Sequence, residues 1–408
     1  GAGGFARGMI EAMEQSTPAT HVLIMDDDVE VSPESIRRTY ELLRMVNSEY
    51  EEAFVSGAML NIEDTQLMRE DTGYISPELG VCVPAKRQML VSQYLDVVDN
   101  EAFNEEESIP ADAHRYAAWW YCCIPMSVIR RVGLPLPVFV RYDDVEYGIR
   151  SHPKFMTMNG ICVWHAKFEI RYNAGVERYQ STRNGMIAQM TTGLAPDFDT
   201  FLKGLHRQID LEMRKFNYTD AELALDGFED FLKGPKFIEQ PVAQERFMRA
   251  NRLKEQVVPF DELKQQAAEQ GLVGFDPDRL TRQTVETDRP RSLQERAFDF
   301  VTHNGQRFVR DGQEGQDGGA DYAIITHDGW AYPSGSIHGK NTIVSIDWAS
   351  RKGVIRHKDV KRYREIVKRY KRDVAYFKKN RNRLEREYRE AAPKLESVDF
   401  WKRYLGMA

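Results

Sequence analysis

The chain is short of cysteine and of long apolar runs, and each shortage removes a class of protein. Its four cysteines are Cys82, Cys122, Cys123 and Cys162, and their spacing matches neither a metal site nor a disulfide framework. A reduced, cytoplasmic compartment fits that usage best. No stretch approaches the ~20 apolar residues needed to span a bilayer, and no signal peptide is recognisable. There is no internal repeat, and no nucleic-acid-binding module accompanies the basic residues, so nucleic acid is not an expected partner. A calcium loop of the EF-hand type fails after Asp26, because Val31 stands where its turn needs glycine. A strand is also missing before Gly1-Ala-Gly-Gly-Phe-Ala-Arg-Gly8, which reads as a glycine loop opening a helix. Nucleotide-binding α/β domains open on a strand, so the expectation is a fragment that begins inside a domain.

What is present is a soluble globular composition, 42% apolar and 29% charged, over 408 residues, enough for two or three domains. The net charge of −7 hides an uneven distribution: residues 351–389 carry seventeen Lys/Arg against five acids. A basic stretch on an acidic body suits an anionic membrane surface or a phosphate-bearing ligand, and equally a solvated basic helix. Its apolar residues Val360, Tyr363, Val367, Tyr370, Val374, Phe377, Leu384 and Tyr388 follow three-four spacing, which predicts a long helix with a packing or oligomer seam.

Upstream, strand-like runs alternate with helix-like ones. A helix is predicted over residues 5–16 and a strand over 21–25. Ser32-Pro33 predicts a helix start, with Ile36, Tyr40, Leu43 and Val46 on its apolar face. Further strands are predicted over 53–60 and 80–84. Val138-Phe-Val140 leads into Asp143, and Gly160–Trp164 into His165. The pattern is that of an α/β sheet with its site along one edge. Residues 179–255 are helix-patterned and 256–298 a mixed connector. Residues 299–350 hold β-like runs at 322–326 and 342–346 around the glycine-rich stretch Gly312–Gly319.

Four groups of residues carry chemistry. His21-Val-Leu-Ile-Met25 runs into Asp26-Asp27-Asp28, and Asp26 and Asp28 point to one side of an extended segment. Two oxygen donors on one side suit a hard divalent cation carrying a diphosphate, or simply an acidic turn. His165, at the end of a predicted strand, joins them as a ligand or remains an ordinary hydrogen-bonded histidine. Asp143-Asp144-Val-Glu146 offers a carboxylate to take a proton from an attacking hydroxyl, or a cap cluster for the helix that follows. Trp119-Trp120 suits stacking on sugar rings, although a core pair is as good a reading. Gly3, Gly4 and Arg7 suit a diphosphate at a helix N-terminus.

In this order and at these spacings, ending in Arg178-Tyr-Gln-Ser-Thr-Arg-Asn184, the chain resembles the inverting family 2 glycosyltransferases of GT-A fold. Within them it looks most like the polymerising galactofuranosyltransferases that build actinobacterial cell-wall galactan. The match is best over residues 1 to about 190; Asp317–Asp321 and Tyr332–Gly335 share that branch's pattern less specifically. The resemblance implies an N-terminally incomplete GT-A-type (Rossmann-like) domain over 1–185, a helical region over 186–298, and an α+β region over 299–408 ending in the basic helix. It implies that Asp26, Asp28 and His165 hold Mn²⁺ or Mg²⁺, and that Asp144 is the catalytic base with Asp143 and Glu146 on the acceptor side. Trp119 and Trp120 would bind the acceptor, while Gly3, Gly4, Arg7, Asp26, Asp27 and Glu70 would face the donor, UDP-galactofuranose. The acceptor would be a lipid-linked galactan at the inner face of the plasma membrane, with a homo-oligomer possible. A phosphatase of the haloacid-dehalogenase type also uses paired aspartates after a strand, but Glu30 stands where it wants Thr or Val. A carbohydrate-binding scaffold that has lost its donor half is the non-catalytic alternative.

Overall fold

A computed structural model describes residues 1–168, 172–195, 197–281, 289–308, 322–327 and 335–407. The Gly312–Gly319 stretch, Asp317–Asp321 and Tyr332–Ser334 lie outside the described residues. The architecture is mixed α/β. One four-stranded sheet has the order His21–Ile24, Cys122–Pro125, Phe54–Ser56, Phe155–Met156. A five-stranded sheet runs Glu30–Val31, Cys162–His165, Ala58–Asn61, Leu67–Glu70, Met89–Leu90. A three-stranded sheet contains Cys82–Pro84, Gly73–Ile75 and Arg115–Tyr116.

The predicted strand over 53–60 is divided at Gly57, and its halves join different sheets. The cause is local. The Tyr121 ring packs so closely on Gly57 that a Cβ there would lie 2.6 Å from a ring carbon. Gly57 N–H donates to the Tyr121 carbonyl (3.0 Å) and its own carbonyl accepts from Trp120 Nε1 (2.9 Å). The backbone therefore changes sheet where only glycine fits. The helix after Ser32 is present at Pro33–Met45, capped by the Ser32 hydroxyl. Its buried face is not the predicted stripe. Ile36 and Tyr40 are exposed, whereas Ser35 and Thr39 are buried, the latter bonded to the Tyr121 hydroxyl at 2.7 Å. Hydrogen bonding to an inward-facing tyrosine decided the rotation of this helix. Val138–Val140 is a loop rather than a strand.

The helix-patterned region contains Ser181–Thr192, Phe198–Arg214, Tyr218–Leu232 and Ala243–Leu253, entered through a π-helical turn at Gly175–Gln180. Gly227 lets two of these segments approach: a Cβ on it would meet the Tyr179 carbonyl at 2.4 Å. The long helix, Val360–Leu395, buries Val360, Tyr363, Phe377, Leu384 and Tyr388 within the chain. Phe377 stacks on Phe198 (4.5 Å) and Tyr388 on Phe231 (5.5 Å). One face of its basic surface meets acids of Tyr218–Leu232, through Arg362–Glu222 (2.6 Å), Arg369–Asp226 (2.7 Å) and Arg372–Glu229 (2.6 Å). The seam is an internal one. The divisions at 185 and 298 do not separate cores, since one buried cluster draws on residues from all three predicted segments. A smaller cluster joins Phe260 and Leu263 to Val344 and Ile346 of another four-stranded sheet, ordered Val258–Pro259, Lys352–His357, Thr342–Asp347, Tyr322–Thr326. Among the described residues no helix is long and apolar enough to cross a membrane.

Gly227→Ala is expected to lower the unfolding free energy by about 1–3 kcal/mol, the usual cost of overpacking, measured by urea denaturation. An unchanged midpoint would show that the two segments are not held at this separation.

Candidate active site

The aspartate turn is folded back by the strand that follows it. His21–Ile24 pairs with Cys122–Pro125 in one sheet, whereas Glu30–Val31 pairs antiparallel with Cys162–His165 in the next. Asp26–Asp28 bridge the two sheets, and the same pairing brings in His165. Asp28 Oδ1 lies 3.4 Å from His165 Nε2. The candidate ligand atoms of Asp26, Asp28 and His165 all fall within 4.8 Å of one another. His165 Nδ1 donates to the Ala166 carbonyl at 2.6 Å, which fixes the ring and leaves Nε2 toward Asp28. Burial, then the charge of Asp28, raises the pKa of Asp26, opposed by His165 and the N-terminus. Asn61 is in register with His165 on the parallel neighbour strand. Its buried carboxamide oxygen has no hydrogen-bond partner among the described residues. Two carboxylates and an imidazole form a donor set of the kind that Mn²⁺ accepts.

The acidic pair is presented by a loop in unusual conformations. Phe139, Arg141 and Tyr142 have φ of 75°, 67° and 63°, left-handed values that carry a cost for residues other than glycine. Asp143 and Asp144 then open the helix Asp143–Ser151. Burial raises both of their pKa values; Asp144 adds to the rise at Asp143, while the Val145 N–H and Arg141 oppose it at Asp144. The charge of Asp26 contributes to the rise at both. Glu70, at the end of Leu67–Glu70, is pushed up to about 7 by burial, opposed by Arg69 and assisted by Asp144.

Glu70 and Asp144 face a cavity of about 720 Å³, lined on the same side by Trp120, Arg141 and Phe168. Arg178, Phe201 and Arg207 of the helical region form the other wall. Phe168 joins the cavity to the aspartate–histidine cluster. Its ring lies 5.5 Å from His165 and 6.3 Å from Trp120, with the guanidinium groups of Arg69 and Arg141 over it at 5.0 and 5.1 Å.

Several residues singled out from the sequence sit elsewhere. Gly3 and Gly4 lie within the helix Ala2–Glu14, not in a loop, because Ala2, Ala6, Met9 and Ile10 bury one face from the first turn. Arg7 is exposed and pairs with Glu11. Asp27 is exposed between its two neighbours. Trp119 points into the core, edge-on to Phe5 (5.0 Å) and against Tyr147 (5.5 Å); only Trp120 lines the cavity. Glu146 is tied to Arg150 at 3.0 Å on the far side of its helix, and Arg150 also reaches Glu396 at 3.3 Å. Arg69, Arg141 and Phe168 escaped the sequence reading, because nothing in local spacing marks a single arginine or phenylalanine as lining a site.

No protein-family profile matches the chain. It is similar to galactofuranosyltransferase GlfT2 of Mycolicibacterium smegmatis, 23% identical over 99% of this chain and 61% of that protein. It is also similar to galactofuranosyltransferase GlfT2 of Mycobacterium tuberculosis, 26% identical over 58% of this chain and 38% of that protein. The chain is thus a distant relative of these enzymes and spans about three fifths of the length of the first.

Because Glu70 binds its proton more tightly folded than unfolded, stability is expected to fall as pH rises from the ordinary Glu range through about 7. Glu70→Gln should remove about 1–3 kcal/mol of that fall between pH 5 and pH 8, measured by chemical denaturation. Parallel pH profiles for the two proteins would place Glu70 in water.

Proposed function

We propose that the chain is the catalytic part of an inverting, GT-A-type glycosyltransferase that moves galactofuranose from UDP-galactofuranose to a lipid-linked galactan. The observation that carries this reading is a candidate cation cluster, Asp26, Asp28 and His165, whose imidazole packs on Phe168, a ring that together with Asp144 lines the cavity. The distant similarity to galactofuranosyltransferases supports the choice of donor and acceptor.

Asp144 would accept the proton of the acceptor hydroxyl as that oxygen attacks the anomeric carbon. Burial raises its proton affinity toward the working range of a base, and Arg141 keeps it ionised near neutrality. Asp143 beside it, itself raised by burial, would hold the acceptor through a hydrogen bond. Trp120 and Phe168 offer apolar ring surface to the sugars. Glu70, near the midpoint of its titration at neutral pH, can donate to or accept from a sugar hydroxyl. Asp26, Asp28 and His165 would hold Mn²⁺ or Mg²⁺, which supplies Lewis-acid neutralisation of the departing diphosphate when bound. The exposed Lys361, Lys368, Lys371 and Lys378 of the long helix suit peripheral contact with anionic lipid at the inner membrane face.

Asp144→Asn is expected to lower kcat for transfer from UDP-galactofuranose to a synthetic galactan acceptor by at least 10²-fold, leaving donor KM within a few-fold. The wild-type acid limb should lie above the ordinary Asp pKa of about 4. Near-normal turnover of the variant would remove Asp144 from the role of base. For the cation, Asp28→Asn and His165→Ala should each weaken Mn²⁺ binding at least tenfold in an electron paramagnetic resonance titration. Equal affinity in all three proteins would rule the cluster out.

A further inference from the structure

The segment Arg178–Asn184 carries a device that the transfer chemistry itself does not require. Asn184 is buried on the helix Ser181–Thr192. Its Nδ2 donates to the carbonyls of Val138 (3.0 Å), Val140 (2.8 Å) and Arg141 (2.9 Å). Its Oδ1 accepts from Arg183 Nε at 2.9 Å, which fixes the orientation of the amide. Arg183, buried as well, adds a bond from Nη2 to the Val138 carbonyl at 3.0 Å and is itself held by Gln180 (2.6 Å) and Tyr179 (3.2 Å). The loop gripped in this way contains the left-handed Phe139, Arg141 and Tyr142 and runs straight into Asp143 and Asp144. Inward-facing carbonyls of a strained loop need donors, and one side chain from a separate helix supplies them.

We propose that Asn184, backed by Arg183, is a positioning residue: it holds the Val138–Tyr142 loop in its strained form and so sets Arg141 and Asp144 on the cavity wall. Asn184 does not itself line the cavity; it reaches the wall only through the backbone carbonyl of Arg141. The kinetic side of the inference rests on the transfer reading above, whereas its structural side does not.

The test uses the whole 408-residue chain as wild type, Asn184→Ala and Asn184→Asp; the second keeps the shape and removes the donor. Hydrogen exchange read by mass spectrometry should show peptides covering 136–147 exchanging at least tenfold faster in both variants, while peptides covering 198–232 are unchanged. In transfer assays kcat should fall at least tenfold with donor KM within threefold, and the acid limb should move toward lower pH as Asp144 gains water. Should the alanine variant not fold, the aspartate variant carries the same readings. Unchanged exchange at 136–147 in a folded variant, or kcat within twofold of wild type, would overturn the proposal. A wild type that transfers no sugar would sink the functional reading instead, and the exchange rates would still decide the clamp.

Discussion

Asp26, Asp28, Asp143, Asp144 and Glu70 are linked by mutual charge repulsion, which protons, cations or guanidinium groups have to meet. Each answer is visible. Burial raises Asp26, Asp143, Asp144 and Glu70 above their ordinary proton affinities. Arg69 and Arg141 stand over Phe168 and oppose the rise at Glu70 and Asp144 respectively. At Asp26 and Asp28 the negative charge faces the His165 imidazole, whose Nε2 lies 3.4 Å from Asp28 Oδ1. Under the proposed transfer, these groups would hold a divalent cation against the departing diphosphate while Asp144 takes the hydroxyl proton.

The scaffold holds these charges with backbone pairing and with buried polar side chains. Antiparallel pairing of Glu30–Val31 with Cys162–His165 closes the aspartate turn over the histidine. Gly57 lets the chain change sheet beside Trp120, whose indole is anchored on the Gly57 carbonyl. The helical region supplies both the far wall of the cavity and the amide that grips the loop before Asp143. The long basic helix backs this region from behind, its arginines neutralised in part by Glu222, Asp226 and Glu229. Much of the positive charge at the C-terminal end therefore has an internal use.

The sequence was most legible where one local rule decides. An apolar run closed by three aspartates, a Ser-Pro helix start and a three-four stripe gave the His21–Ile24 strand, the Pro33–Met45 helix and the 36-residue helix Val360–Leu395. It misled where tertiary contacts override the local signal. Gly3 and Gly4 sit in a helix because four apolar residues bury its face. The Pro33–Met45 helix turned to satisfy the Tyr121 hydroxyl, not to bury Ile36 and Tyr40. Trp119 and Trp120 read as a pair in the sequence, yet they lie in the turn before Cys122–Pro125, where Trp119 packs on Phe5 and only Trp120 lines the cavity. Left-handed Phe139, Arg141 and Tyr142 had no signature at all, since none of them is glycine.

The account depends most on the cation cluster and the acidic pair opening into one cleft. Anomalous diffraction from crystals soaked in Mn²⁺ and UDP reads this directly. The expected result is a single strong peak among Asp26, Asp28 and His165, with the diphosphate against it and Asp144 facing the same cavity. A peak at another site, or a nucleotide bound away from that cavity, would contradict it.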